Sequence, residues 1–203
     1  MVESSGVPVM TKPDGLEPEE LRNCEWVECR HELRRRAGRM ATGNTWAEFG
    51  TAGGGTARTL LSVLRKDGIL YLHDTWEGLP APWDKGNQIK PTGAFRCSQP
   101  TDLDSRAVIR RGLFADTLPY DFGPLGLIHI DCDLYESARD VLFGCDASLV
   151  AGTVILFDEL SNIGYPNWRN GEYRALCEWR EATGKRVRWV AASVGSAFGI
   201  VTC

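Results

Sequence analysis

From Thr45 to Phe157 the chain alternates short apolar runs with stretches of helical pattern, and this alternation limits the fold more than any other feature. The runs are Thr45-Trp46-Ala47-Glu48-Phe49, Ile69-Leu70-Tyr71-Leu72-His73, Val108 to Arg111, Leu125 to Ile130 and Thr153 to Phe157. Helical patterns cover Ala57 to Leu64, Ser137 to Leu149 and, after the last run, Glu172 to Thr183. Strands that alternate with helices pair in parallel through crossovers, so an α/β fold is predicted. Two further runs, Arg186 to Ala191 and Ala197 to Val201, are joined by only Ala192-Ser193-Val194-Gly195-Ser196, which suits an antiparallel hairpin.

Ahead of the first run, residues 1–16 read as a loose arm and Glu17 to Met40 as a helix with Leu21, Cys24, Val27 and Leu33 on one side. Residues 1–40 are therefore set apart from a domain over 41–203. The section Glu77 to Pro100, with prolines at 80, 82, 91 and 100, is long and irregular, as lids are, with a short helix expected near 91–97. At 203 residues, 43 % hydrophobic and 25 % charged, the chain can bury one sizeable core. A net charge of -4 argues against a nucleic-acid partner. The basic cluster Arg30 to Arg39 reads as a solvated helix face, with an anionic substrate or partner as the alternative. Seven scattered cysteines without a CxxC pair indicate reduced thiols rather than a zinc site or a disulfide framework. The sequence has no apolar run of the roughly 20 residues that span a bilayer, and its first residues lack signal-peptide character. A cytoplasmic location with no membrane partner is the expectation.

Parallel sheets bind ligands beyond the carboxyl ends of their strands. The first run leads into Glu48-Phe49-Gly50-Thr51-Ala52-Gly53-Gly54-Gly55-Thr56, where Gly50 permits a sharp turn and the helix start near Thr56 offers free N–H groups. The glycine spacing is not GxGxxG, which argues against a dinucleotide diphosphate. Glu48 would repel a pyrophosphate and attract an amino group or sulfonium. The second run ends in His73-Asp74-Thr75-Trp76, with Asp74 placed to accept from ribose hydroxyls. Trp76 either stacks on an adenine or covers the core, and His73 reads as a packed strand end. The fourth run ends on Asp131 and Asp133, the fifth on Asp158 and Glu159.

Together EFGTAGGGTA, DTWEGLP, GLFADTLP, HIDCDLYESARD, ILFDEL and GEYRA resemble the class I S-adenosylmethionine-dependent methyltransferases, and within them the macrocin and mycinamicin O-methyltransferase family. The resemblance spans about Thr45 to Trp179. It implies a Rossmann-like sheet of seven mostly parallel strands, the last antiparallel, with helices on both faces. It also implies donor binding by Glu48, Gly50, Thr51, Ala52, Gly55, Thr56, Asp74 and Thr75, with Gly112, Leu113 and Phe114 along the adenine and Asp131 beside the methyl group. Such enzymes use a divalent metal, usually magnesium, to hold a sugar diol. Here Asp131, Asp158 and Glu159 would be its oxygen ligands, although Glu159 stands where aspartate is more usual.

The implied reaction is O-methylation of a small hydroxylated molecule, a sugar or glycosylated metabolite. Asp131 is a metal ligand and base, and Asp133 is a second base or else the cap of the helix near Ser137. His129 reads as packed within its strand. Trp83, Tyr135, Tyr165 and Trp168 fall on loops that could roof a pocket; Arg174 is a substrate contact or a plain surface charge. Assembly into a homo-oligomer stays open. Two other functions share the architecture: a nucleotide-dependent oxidoreductase, and a non-catalytic adenosylmethionine-binding module.

Overall fold

The computed structural model describes Lys12, residues 17–161 and residues 164–203, so all but one residue of the expected N-terminal arm lies outside the described residues. The strands are β1 (Glu25–Trp26), β2 (Thr45–Phe49), β3 (Ile69–Asp74), β4 (Trp83–Asp84), β5 (Ile89–Lys90), β6 (Ala107–Arg111), β7 (Leu127–Ile130), β8 (Val154–Phe157), β9 (Arg186–Ala192) and β10 (Ala197–Thr202). The α-helices are α1 (Arg30–Met40), α2 (Gly55–Leu61), α3 (Phe114–Thr117), α4 (Tyr135–Gly144) and α5 (Glu172–Thr183). Eight strands form one sheet in the order β1-β9-β10-β8-β7-β2-β3-β6. Only β10 runs antiparallel, to both β8 and β9, while the other pairs are parallel.

Alternation along the central strands divides the core into two layers. Ala47, Phe49, Ile128, Ile130, Ile155 and Phe157 pack against α4 and α5 through residues such as Val141, Leu142, Leu176 and Trp179. Trp46, Leu127, Val154 and Leu156 face the opposite way, against Leu33 and Ala37 of α1 and Leu60 and Leu61 of α2. The expected Rossmann-like architecture is therefore present.

Three local expectations need correction. The sheet has eight strands because β1 pairs with Ala191 and Ala192 of β9 at its edge. That strand lies inside the stretch read as a helix from Glu17. Only a 3-10 turn at Glu19–Leu21 forms there, and α1 begins after Cys29, whose backbone is extended. No helix forms over 91–97, where Gly93 and Phe95 adopt left-handed φ values of 79° and 66°. The section instead carries the small antiparallel ribbon β4–β5.

His73 at the end of β3 is fully buried, stacked on Phe49 with ring centroids 4.5 Å apart. Burial, helped by the nearby Arg110 charge, pulls its pKa from 6.5 down to about 4. The unfolded chain takes up this proton near 6.5 and the folded chain only near 4. Stability from this group is thus intact above pH 6.5 and falls as the pH drops towards 4, by about 3 kcal/mol in all. Denaturant unfolding of wild type and His73→Phe should diverge over that window, with the variant losing this part of the slope.

Candidate functional site

The register sets the site. Phe49 pairs with His73 and Ile130, and Ile130 with Phe157, so one row crosses four parallel strands. The residues that follow this row, Gly50, Asp74, Asp131 and Asp158, form a line along the carboxyl edge. At its centre Asp131 donates its amide to the Phe49 carbonyl at 2.9 Å, and Gly50 donates to the His73 carbonyl at 2.9 Å. Gly50 has φ 90°, and a Cβ there would stand 1.9 Å from the Asp131 carbonyl oxygen. No side chain can be accommodated, since the obstacle is backbone.

A cavity of about 480 Å³ opens above this edge. On one side it is walled by Gly50, Ala52, Asp74, Thr75, Gly112, Leu113 and Phe114, all expected at the donor site. Glu48, Thr51, Gly55 and Thr56 do not line it. Glu48 shares the face of Trp46, two residues back on the strand, and is buried. The turn runs on through Gly54 before α2 begins, which carries Gly55 and Thr56 away from the wall. Asp74 fastens this wall: one oxygen accepts the Ala52 amide at 2.8 Å, the other the Trp76 amide at 2.7 Å. Trp76 is itself buried and donates its indole N–H to the Ala52 carbonyl at 2.9 Å, so it bolts the turn rather than stacking on a ligand.

Across the cavity stand Asp131, Asp133 and Glu159, joined by Lys85 from the irregular section. Burial and the neighbouring Asp158, Asp133 and Glu159 charges push the Asp131 pKa well up. Burial and Glu159 raise Asp133 to about 7, against the pull of Lys85. Burial and Asp158 likewise raise Glu159, opposed by Arg30 and Lys85. Asp133 sits at φ 59°, a left-handed conformation that aspartate bears better than most residues. It is not the cap of α4, a position Leu134 takes without a side-chain bond.

Behind these acids the strand-end loops are tied by a residue to which the sequence reading gave no role. Glu172, in the first turn of α5, is fully buried. Its carboxylate accepts the Cys132 amide and the Glu159 amide, each at 3.0 Å. The GEYRA motif marked the residue, but nothing local in the sequence revealed which amides it would meet.

Asp131 and Asp158 do converge. Together with His129 they bring ligand atoms within 4.8 Å of one another. His129 is fully buried and lies between two carboxylates, 3.6 Å from Glu48 and 3.9 Å from Asp158. Burial opposes a charge on this imidazole, but the two acids outweigh it and raise its pKa. Asp158 meets two arginines of α1: Arg34 at 2.8 Å on Oδ1 and Arg30 at 2.7 Å on Oδ2.

Of the aromatic residues expected to roof the site, Trp83 lines the cavity and packs edge-on against Tyr165, 5.4 Å away. Lys85 Nζ lies 3.9 Å from the Trp83 ring centre. Tyr165 and Trp168 belong to the apolar cluster behind Trp83 and do not reach the cavity wall. Tyr135 bonds Glu178 and carries the Arg174 guanidinium over its ring, so both residues sit outside the site. Phe95, which the sequence reading did not single out, stands at the rim, about half exposed.

Residues 47–160 match the family described as a methyltransferase domain, more than half of the chain, and the protein belongs to that family. No curated protein matches it in sequence. Among solved structures it is similar to the calicheamicin methyltransferase CalS11, at 21 % identity over 84 % of this chain and 76 % of that one, with TM-score 0.65. The O-methyltransferase NovP is similar at 20 % identity over 84 % and 78 %, TM-score 0.66. An O-methyltransferase from Bacillus cereus in complex with SAH follows at 17 % over 89 % and 84 %, TM-score 0.53. These likenesses establish the fold. Family and fold make the chain an S-adenosylmethionine-dependent methyltransferase of class I architecture and decide against the oxidoreductase alternative. Among the described residues, no helix is long and apolar enough to cross a membrane.

Two substitutions test the clamps. Asp74→Ala removes the Ala52 amide contact of the glycine turn and the Trp76 amide contact of its own loop, and should weaken S-adenosylhomocysteine binding by at least about tenfold in calorimetry. Glu172→Gln turns an NH2 group towards one of two amide donors, and should lower unfolding free energy by about 1–3 kcal/mol.

Proposed function

We propose that the protein transfers a methyl group from S-adenosylmethionine to a hydroxyl of a sugar or glycosylated small molecule, in the manner of the macrocin and mycinamicin O-methyltransferases. The observation that carries this reading is the division of one cavity into two chemically different walls. Asp74 suits a ribose, while Leu113 and Phe114 offer apolar surface to an adenine. The opposite wall of Asp131, Asp133 and Glu159 suits a cationic sulfonium and the proton of an attacking alcohol. CalS11 is described as a TDP-rhamnose 3'-O-methyltransferase, which supports a sugar-class acceptor for this fold.

S-adenosylmethionine, when bound, supplies the electrophilic methyl group. The chain must bring an acceptor oxygen in line with it, exclude water and take the proton. Asp133 fits the last role best, since it faces the cavity and its pKa of about 7 suits a base working near neutrality. Asp131 stands beside Asp158 and His129, and with its pKa pushed well up it is a second group able to hold a proton at the site.

The divalent cation implied by the resemblance would draw on Asp131, Asp158 and Glu159. As arranged, that donor set does not fit one. Asp158 Oδ1 already accepts from Arg34 and from Ser196 Oγ, at 2.8 and 3.1 Å, and Oδ2 accepts from Arg30. No step here is assigned to a metal.

Turnover should be sought against TDP-sugars and glycosylated hydroxyl compounds by following S-adenosylhomocysteine release. With an accepted substrate, Asp133→Asn should reduce kcat by about 10²–10⁴-fold, while S-adenosylhomocysteine affinity stays near wild type. Undiminished turnover in Asp133→Asn would remove the assigned base. A protein that binds S-adenosylhomocysteine yet methylates no hydroxyl in such a panel would favour the non-catalytic module.

A further inference from the structure

The basic run Arg30 to Arg39 does not behave as one solvated face. Arg36 and Arg39 pair with exposed Glu25 and Glu32. Arg30 and Arg34 are one turn apart on α1 and point the other way, into the carboxyl edge of the sheet. Arg34 keeps only 12 % of its side chain exposed. Arg30 spans three partners: the Asp158 carboxylate and carbonyl, each at 2.7 Å, and Ser196 Oγ at 2.9 Å from its Nε. Its Nη2 also lies 3.7 Å from Glu159 Oε1. The pair thus reaches two of the three acids that a metal would need, and Arg34 also acts on the third, Asp131, through its charge.

Building on the methyltransferase reading above, we infer that Arg30 and Arg34 serve as the fixed cation of this acid cluster, in place of a divalent metal. Two guanidinium groups on one carboxylate provide directional charge-assisted bonds as well as positive charge. An incoming ion would have to displace both arginines from a nearly buried site, leaving their charges without the partner that offsets their desolvation. The arginines therefore neutralise Asp158 and steady Glu159, so that Asp131 and Asp133 can face the cavity without a metal between them.

The test is a manganese titration of the EDTA-treated full chain, read by the EPR signal of free Mn2+. Wild type should leave the ion free, whereas Arg30→Met/Arg34→Met should bind it at least about tenfold more tightly because two repelling charges are gone. Arg30→Gln, a gentler change at a partly exposed position, should show part of that gain if the double variant does not fold. Asp158→Asn added to either variant should abolish the gain. One tightly bound Mn2+ per wild-type chain would overturn the inference. So would folded arginine variants that leave Mn2+ as free as wild type does, because the arginines would then not be what keeps the ion out. Calorimetry with S-adenosylhomocysteine on the same samples reports separately on the methyltransferase reading and should give one affinity for wild type and the arginine variants.

Discussion

At Gly50 and Asp131 two pieces of backbone meet with no room for a side chain between them. The Asp131 carbonyl occupies the space a Cβ at Gly50 would need. The glycine turn after β2 and the acid-bearing loop after β7 therefore share a wall. Strand pairing sets this contact, because β2 and β7 are parallel neighbours in register through Phe49 and Ile130. The cavity therefore places the first loop's glycine turn directly beside the carboxylates of the second, without a long side chain to bridge them, which suits the proposed cofactor position. Transfer chemistry between two substrates needs this kind of fixed proximity.

Two buried or half-buried carboxylates then hold the loops that carry the site. Asp74 gives one oxygen to the glycine turn and the other to the start of its own loop. Glu172 does the same for the loops after β7 and β8. Each bond of this kind, from an amide to a carboxyl oxygen, contributes about 1 kcal/mol, rising to about 1.5–3 kcal/mol where the carboxyl is ionised. The second clamp also has an electrostatic cost: burial, with Asp131 and Glu159 beside it, pushes the Glu172 pKa well up against the pull of its two amide bonds. α5 thus reaches the site through backbone amides, although it contributes no side chain to the cavity.

Much of this was legible in the sequence, for a physical reason. The central strands are short apolar runs bounded by glycine or acid, so β2 and α5 were placed to the residue and β3, β6, β7 and β8 within one or two. Strand ends in a parallel sheet lie on one edge, which made Gly50, Asp74, Asp131 and Asp158 neighbours before any coordinates. Contacts between distant segments were harder to read. Glu48 was assigned to the cofactor because it precedes the turn, yet the alternation of β2 turns it towards the layer under α1. The run RHELRRRAGR carries more charge than a buried face tolerates, so its two inward arginines were hidden among five outward or partly exposed basic and acidic neighbours. β1 is two residues long and has no periodicity to detect.

The division of labour among the acids follows from what each has available to pair with. The carboxyl edge of a parallel sheet gathers side chains from several strands into a small volume, and adjacent negative charges there disfavour one another's ionisation. Asp158 offsets this with two guanidinium groups and a serine hydroxyl, while Asp74 and Glu172 give both oxygens to main-chain amides. Those pairings fix the acids that frame the site. Asp131, Asp133 and Glu159 face the cavity with raised pKa values, which is why the proposed proton transfer is placed among them. Pairing with guanidinium groups thus makes Asp158 part of the scaffold, and Asp131 and Asp133, without such partners, are left open to the cavity, so one cluster supplies both frame and candidate chemistry.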